Sequence, residues 1–86
     1  MASFEIHWRS STKKDLRRIP RDDVSRIIAA VAKLADEPLP HGSEKPAGSD
    51  HSYRIRVRDY RVVYELLRVV SAVEIQRVRH RRDVYR

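Results

Sequence analysis

The sequence contains no cysteine, only two glycines and four prolines, and no long apolar run. The absence of cysteine excludes disulfides and thiolate metal sites and is typical of a protein from a reducing compartment. The scarcity of glycine and proline, beside recurring blocks of Val and Ile, argues against disorder. The longest apolar run, residues 27–32, is far too short to cross a bilayer, and charges within the first ten residues leave no apolar signal core. We therefore expect a folded cytoplasmic protein without a membrane partner.

Positive charge is concentrated in the last third of the chain. The 86 residues carry a net charge of +7, and the isoelectric point is near 10.4. Residues 53–86 contain ten Arg, no Lys and four acidic residues, so this segment holds +6 of the total. A chain of this length forms one small domain over residues 1–86, and such a charge balance predicts a polyanionic partner.

The first half of the sequence predicts one strand and two helices. Residues 4–8 alternate apolar and polar side chains, which indicates a strand. Residues 10–12 offer N-cap side chains for a short helix over 13–18, and Pro20 separates this helix from the next. The second helix is predicted to end near Asp36 and carries an apolar stripe at helical spacing. The stripe consists of Val24, Ile27, Ile28, Val31, Leu34 and Ala35.

The second half predicts a loop and three strands. Residues 41–50 hold both glycines and Pro46 among polar residues, which is typical of a loop. Strands over 53–57 and 60–66 are joined by a turn at residues 58–59. A third strand over 69–78 breaks its alternation between Ile75 and Val78, which indicates either a bulge or burial on both faces. The order β-α-α-β-β-β predicts an α+β fold, a mainly antiparallel sheet with a two-helix hairpin on one face.

Arginines on the predicted hairpin are the first candidate site. Arg54 and Arg56 share a face of one strand, and Arg61 lies on the next. If the register brings them together, several guanidinium groups converge, which is unfavourable without an anion between them. The alternative is an ordinary solvated sheet face.

The basic tail adds further chemistry. His80 can exchange a proton near neutral pH, Arg81 can stabilise charge on a phosphorane-like transition state, and Tyr85 can stack on a base. His80 could equally be a surface histidine. No metal-ligand spacing is present among the histidines, so we expect neither a metal nor another cofactor. The ribose 2′-OH of RNA can attack its own phosphate without a metal, and DNA lacks that group.

Three segments together resemble a known protein family: YRIRV at 53–57, YRVVY at 60–64 and VRHRRDVY at 78–85. They are similar to the bacterial RelE/ParE toxin superfamily, and the resemblance covers nearly the whole chain. It is greater to the RelE branch, which implies a ribosome-dependent mRNA endonuclease that cuts message in the A site. In that branch the hairpin turn often has Gly before Asp. Arg58 replaces that Gly here, so we expect a longer turn or another turn type.

The resemblance implies a set of site residues. In that family an Arg on the second hairpin strand and an Arg near the C-terminus bind the phosphate, here Arg61 and Arg81, with Arg81 as leaving-group acid. Tyr85 would orient a base. Both first-strand basic residues are Arg, which is a poor base, so His80 becomes the candidate proton acceptor. The catalytic set is then Arg54, Arg56, Arg61, His80, Arg81 and Tyr85. Expected RNA contacts are Lys45, Arg79 and Arg82.

The resemblance also implies partners. We expect a cognate acidic antitoxin that is partly disordered and folds on binding, giving a toxin–antitoxin hetero-oligomer. The other expected partner is a ribosome with A-site mRNA. Two alternatives remain open at this point: a ParE-like toxin that inhibits DNA gyrase, or a non-catalytic protein that binds RNA or an antitoxin.

Overall fold

A computed structural model describes residues 3–40, 42–45 and 52–84. The elements follow the predicted order β-α-α-β-β-β and add a final one-turn helix that the sequence did not indicate. They are β1 (Glu5–Trp8), α1 (Ser10–Arg17), α2 (Arg21–Lys33), β2 (Ser52–Val57), β3 (Tyr60–Leu67), β4 (Ala72–His80) and α3 (Arg81–Val84). No helix in these three ranges is long and apolar enough to span a membrane.

The four strands form one sheet in the order β1-β4-β3-β2. β2, β3 and β4 pair antiparallel through consecutive connections, while β1 pairs parallel with β4 at the far side. A parallel pair needs a long crossover, and α1 and α2 lie in the stretch between β1 and the hairpin. The predicted α+β architecture with a mainly antiparallel sheet is confirmed.

A bulge in β4 sets which residues face each other at the end of the sheet. Tyr64 lies opposite Ile75, but Val63 lies opposite Arg77, so Gln76 is an extra residue in β4. The structure therefore confirms the bulge that the broken alternation of the sequence indicated. An extra residue reverses the facing of all later side chains in that strand. The arginines that end β4 therefore lie on the sheet face opposite the core.

The core lies between α2 and one face of the sheet. Ile27, Val31 and Leu34 are fully buried, as the apolar stripe predicted. They pack on a cluster from three strands: Ile55, Val62, Tyr64, Leu66, Val73, Ile75 and Val78. Ile28, placed in the stripe by its spacing, is 48% exposed. The contacting stripe is narrower than predicted because α2 touches the sheet along one line of residues.

Two expectations near the ends of elements were wrong. The third strand begins at Ala72 rather than residue 69, because Val69 and Val70 form an exposed turn with 99% and 64% of their surface accessible. Helix α1 begins at Ser10, with Arg9 as the N-cap residue and no side-chain cap. Residues 10–12 thus lie in the first turn, where the Thr12 hydroxyl donates to the Arg9 carbonyl.

Helix α1 completes the edge of β4 where β1 ends. The Ser11 hydroxyl donates to the Gln76 carbonyl at 3.1 Å, and the Val78 N–H donates to an Asp15 carboxylate oxygen at 2.9 Å. These bonds satisfy backbone groups that would otherwise be left without a partner at a sheet edge. Helix α1 therefore fixes the end of β4, from which the basic tail continues.

The β2–β3 turn occupies residues 58–59, as the strand pattern predicted, and is not lengthened by the absence of Gly. Val57 pairs with Tyr60, so Arg58 and Asp59 alone make the turn, and Arg58 adopts a positive φ of 55°. A non-glycine residue in this region costs roughly 1–2 kcal/mol. Two contacts offset part of this: Arg58 lies 3.3 Å from an Asp23 carboxylate oxygen, and its carbonyl accepts from Arg56 Nε at 3.1 Å.

Candidate nucleic-acid interface

Three arginines form one row across three adjacent strands. Arg56 of β2 lies opposite Arg61 of β3, and Arg61 lies opposite Arg79 of β4. Residues directly opposite in antiparallel strands point to the same face, with Cβ atoms about 4.5–5.5 Å apart. The sequence placed Arg56 and Arg61 together, and the bulge in β4 adds Arg79. We call Arg56, Arg61 and Arg79 the arginine row.

The arginine row is electrostatically unfavourable by itself. Like charges directly opposite in a sheet destabilise it by roughly 0.2–1 kcal/mol per pair. Arg79 is exposed and has no ion-pair partner within the described part of the chain. Planar guanidinium groups bind phosphate oxygens through paired hydrogen bonds. A phosphate placed on the row would therefore relieve its repulsion.

A small pocket adjoins the row at the tip of the hairpin. It has a volume of about 90 Å³ and is lined by Arg56, Asp59, Tyr60, Arg61 and Arg81. Arg81, at the start of α3, is tied to the turn because its N–H donates to the Asp59 carbonyl at 2.6 Å. Its guanidinium lies 4.0 Å from the Asp59 carboxylate. Three of the predicted catalytic residues thus meet at one pocket.

Arg54 shares the sheet face but is already engaged. Its Nε and a terminal nitrogen lie 3.0 Å and 2.9 Å from Glu44 Oε2. The backbones of Glu44 and Arg54 also exchange two hydrogen bonds at the edge of β2. Lys45, the next residue, is exposed beside this bridge. Arg54 therefore needs to release or share its carboxylate partner before it can bind a phosphate.

His80 is not brought to the arginine row. It lies opposite Tyr60, on the core-facing side, and its ring meets that of Tyr60 edge-to-face with centroids 5.2 Å apart. The Arg82 N–H donates to His80 Nδ1 at 3.2 Å, which caps α3. A ring that accepts at Nδ1 carries its hydrogen on Nε2. His80 thus has a structural role that leaves it no free acceptor nitrogen in this arrangement.

Tyr60 lies where the hairpin pocket meets the core. Burial raises its pKa, and the carboxylates of Asp23 and then Asp59 raise it further, because each disfavours the phenolate. Tyr60 therefore keeps its proton at neutral pH and can donate a hydrogen bond. It cannot serve as a proton acceptor there.

Two residues of the site were not identified from the sequence, and one predicted site residue lies outside the described residues. Asp59 was assigned only a turn position, and Glu44 was not considered. Asp59 could have been found as the acidic residue between two arginine-bearing strands. Tyr85 lies outside the described residues, whereas Arg82 is exposed at the start of α3. Within residues 3–40, 42–45 and 52–84, no group of three or more His, Asp or Glu side chains could hold a metal ion.

Comparison with known proteins places this arrangement in one class, a small α+β toxin domain with a basic sheet face. The family model described as ParE toxin of type II toxin-antitoxin system, parDE, matches residues 6–85. Toxin RelG of Mycobacterium tuberculosis is 30% identical over 88 residues, which span 96% of this chain and 97% of RelG. The chain therefore belongs to the RelE/ParE superfamily and is a toxin of a type II toxin–antitoxin system.

Solved structures share the fold at low sequence identity. A chain of the toxin–antitoxin complex RelBE2 from Mycobacterium tuberculosis has a TM-score of 0.80 at 22% identity, covering 92% of this chain and 99% of the other. A chain of the archaeal RelE–RelB complex from Pyrococcus horikoshii OT3 has a TM-score of 0.79 at 23% identity, covering 92% and 96%. These similarities establish a RelE-like fold.

Proposed function

We propose that this toxin is a ribosome-dependent mRNA endonuclease that cuts message in the A site and so inhibits translation. The observation that carries the proposal is the arginine row beside the hairpin pocket. Repelling guanidinium groups on three strands form a preorganised site for a phosphodiester. The relative named toxin RelG and the RelE fold support the same branch of the superfamily.

The reaction we propose needs no metal. The 2′-oxygen of one ribose attacks the adjacent phosphorus, the bond from phosphorus to the 5′-oxygen of the next nucleotide breaks, and a 2′,3′-cyclic phosphate forms. Arg61 and Arg79 would bind the non-bridging oxygens. Arg81 would stabilise the departing 5′-oxygen, which takes up a proton from water. Alignment of the attacking and leaving oxygens would further increase the rate of cleavage.

The proton acceptor is assigned differently from the sequence-based hypothesis. His80 lies on the other side of β4 and uses Nδ1 to cap α3. Asp59 is the carboxylate that lines the hairpin pocket, so we propose that it acts as the general base and accepts the proton of the 2′-hydroxyl. General-base catalysis typically contributes 10²–10⁴-fold, so Asp59→Asn should lower the cleavage rate by about 100-fold or more. An unchanged rate in this variant would remove Asp59 from the mechanism.

Other predicted residues would hold the RNA. Tyr85 would stack on a base next to the cut, and Lys45 and Arg82, both exposed, would contact backbone phosphates. Arg54 would join once Glu44 is displaced from its ion pair. Stacking on an aromatic ring contributes about 1–3 kcal/mol per base, so Tyr85→Ala should weaken positioning of the message.

A cognate antitoxin is part of the proposal. One of the matched structures is described as a toxin–antitoxin complex and the other as a RelE–RelB complex. For this chain, with its net charge of +7, we propose an acidic antitoxin that folds on binding and covers the basic surface. Their association should be fast and should slow steeply with salt. The complex would be a hetero-oligomer in the cytoplasm.

Primer extension on a translated message tests the proposal. Expression of the toxin should produce cuts at fixed codon positions, and a version of the message that cannot start translation should stay intact. Arg61→Ala should abolish the cuts. Arg17→Ala, an exposed arginine of α1 outside the site, should retain them. Growth arrest with intact mRNA would contradict the proposal.

Inhibition of DNA gyrase is the second candidate, because the matching family model is that of ParE toxins. This activity requires no phosphate chemistry at the arginine row. A supercoiling assay with purified toxin separates the two. Inhibition that survives in Arg61→Ala would favour the gyrase-directed function, whereas normal supercoiling beside mRNA cleavage would exclude it. Salt-sensitive RNA binding without either activity would indicate a non-catalytic binding protein.

A further inference from the structure

A second basic cleft lies on the other side of β4 from the arginine row. It has a volume of about 510 Å³ and runs between the end of α1, the end of β4 and the start of α3. Its charged and titratable lining residues are Asp15, Arg18, Tyr60, Arg77, Arg79, His80 and Arg82. Arg79 is shared with the arginine row, so the two features are continuous around the free edge of β4.

The cleft gathers arginines that lack acidic partners. Several arginines elsewhere in the fold have a carboxylate within 4.0 Å, as for Arg54 with Glu44 and Arg58 with Asp23. By contrast, Arg18, Arg79 and Arg82 make no ion pair with any described residue. Like charges that converge without a counter-charge are unfavourable, and an anion relieves this. The cleft thus has an excess of positive charge that the described residues do not neutralise.

Asp15 does not balance this excess. Its carboxylate is 14% exposed, lies 3.5 Å from Arg77 Nε and accepts a hydrogen bond from the Val78 N–H. It is therefore committed to holding β4 and Arg77 in place. Arg77 Nε is buried and, although it lies 3.5 Å from that carboxylate, it makes no hydrogen bond within the described part of the chain. Such donors are rare in folded proteins.

His80 contributes a hydrogen-bond donor to the cleft. Because Nδ1 accepts from the Arg82 N–H, the ring hydrogen lies on Nε2. The same bond fixes the start of α3, and with it the position of Arg82 at the mouth of the cleft. The lining therefore offers guanidinium groups and an imidazole N–H, all of which donate to oxygen anions.

We propose that this cleft is a second phosphate subsite, which holds an RNA phosphodiester next to the one bound at the arginine row. The inference rests on the proposed RNA-directed function and adds a second contact point to it. Arg79 connects the two subsites, so an RNA strand would pass around the end of β4. Its phosphodiester could belong to the mRNA or to ribosomal RNA, since the chemistry of recognition is the same.

Binding of a short 2′-O-methyl oligoribonucleotide, which cannot be cleaved, tests the subsite separately from catalysis. We compare Arg18→Gln/Arg82→Gln with Arg17→Gln/Arg68→Gln, a pair that removes the same charge from exposed arginines outside the cleft. Fluorescence anisotropy over a range of salt gives the affinity and its salt slope. Loss of one phosphate contact should lower the slope by about 0.7 for a single strand and the affinity by about tenfold. The control variant Arg17→Gln/Arg68→Gln should show smaller changes in both the affinity and the salt slope.

A second arm distinguishes the two sources of the phosphodiester. Binding of the same variants to purified ribosomes without mRNA is measured by co-sedimentation. A defect with the oligonucleotide alone assigns the subsite to the mRNA strand, and a defect with empty ribosomes assigns it to ribosomal RNA. Equal binding of the cleft and control variants in both arms would overturn the subsite. Neither arm measures cleavage. The binding results therefore test the subsite even if the toxin does not cut mRNA. Thermal unfolding of each variant confirms that it is folded.

Discussion

Repulsion within the arginine row gives a prediction about stability. Arg79 lies directly opposite Arg61 and is exposed without an ion-pair partner among the described residues. Two unit charges about 6 Å apart in a water-like dielectric repel by about 0.7 kcal/mol. Arg79→Gln removes this repulsion while it keeps a polar side chain of similar length. For a domain of this size the gain corresponds to a rise in Tm of about 3–6 °C at low salt.

Salt and anions provide the internal checks on this prediction. At about 1 M salt the Debye length falls to about 3 Å, so the advantage of Arg79→Gln should disappear. Sulfate at matched ionic strength should stabilise the wild-type toxin more than the variant, because only the intact row binds the anion. Arg68→Gln, an exposed arginine in the β3–β4 turn, should show neither effect. An unchanged or lower Tm for Arg79→Gln at low salt, or a difference that persists at 1 M, would refute the reasoning.

Three further predictions concern stability. Burial raises the pKa of Tyr64 to about 12, whereas a tyrosine in the unfolded chain ionises near pH 10. The free energy of unfolding should therefore fall by up to roughly 3 kcal/mol as the pH rises between those two values. In urea titrations Tyr64→Phe should not show this fall with pH. Asp15→Ala should cost about 1–3 kcal/mol because the Val78 N–H loses its acceptor, whereas the exposed Asp36→Ala should change stability by less than about 0.5 kcal/mol in the same titrations. Ser71→Gly should raise the free energy of unfolding by about 0.5–1 kcal/mol, because Ser71 has a positive φ of 52°, which glycine adopts without strain. An unchanged Tm would show that the Ser71 backbone is not strained.

The sequence predicted the elements of the fold well, for a physical reason. Period-two and period-3.6 patterns report burial on one face, and this domain has a single core. Hence the stripe of Ile27, Val31 and Leu34 was found, and so was the bulge near Gln76. Ile28 was misplaced because spacing does not reveal how wide a contact face is. Val69 and Val70 were placed in a strand because apolar turn residues have no pattern of their own.

The site was predicted in part, and its limits follow from register. Arg56 and Arg61 were recognised as neighbours, but the pairing of Arg61 with Arg79 depends on the extra residue in β4, whose effect on facing is not encoded locally. His80 looked suited to proton transfer by its residue type alone. Its position opposite Tyr60 and its bond from the Arg82 N–H are tertiary facts that no local pattern contains.

The most direct test of the central claim uses purified ribosomes with a defined mRNA whose A-site codon carries a single 2′-deoxynucleotide at the mapped cut. The all-RNA message should be cleaved to give a 2′,3′-cyclic phosphate end, and the message that lacks that one 2′-hydroxyl should not be cleaved. A 2′-deoxynucleotide just downstream of the cut should leave the rate unchanged. Equal cleavage of the all-RNA and 2′-deoxy messages would contradict the proposed chemistry. Failure to cut any message while supercoiling by gyrase is inhibited would contradict the proposed function itself.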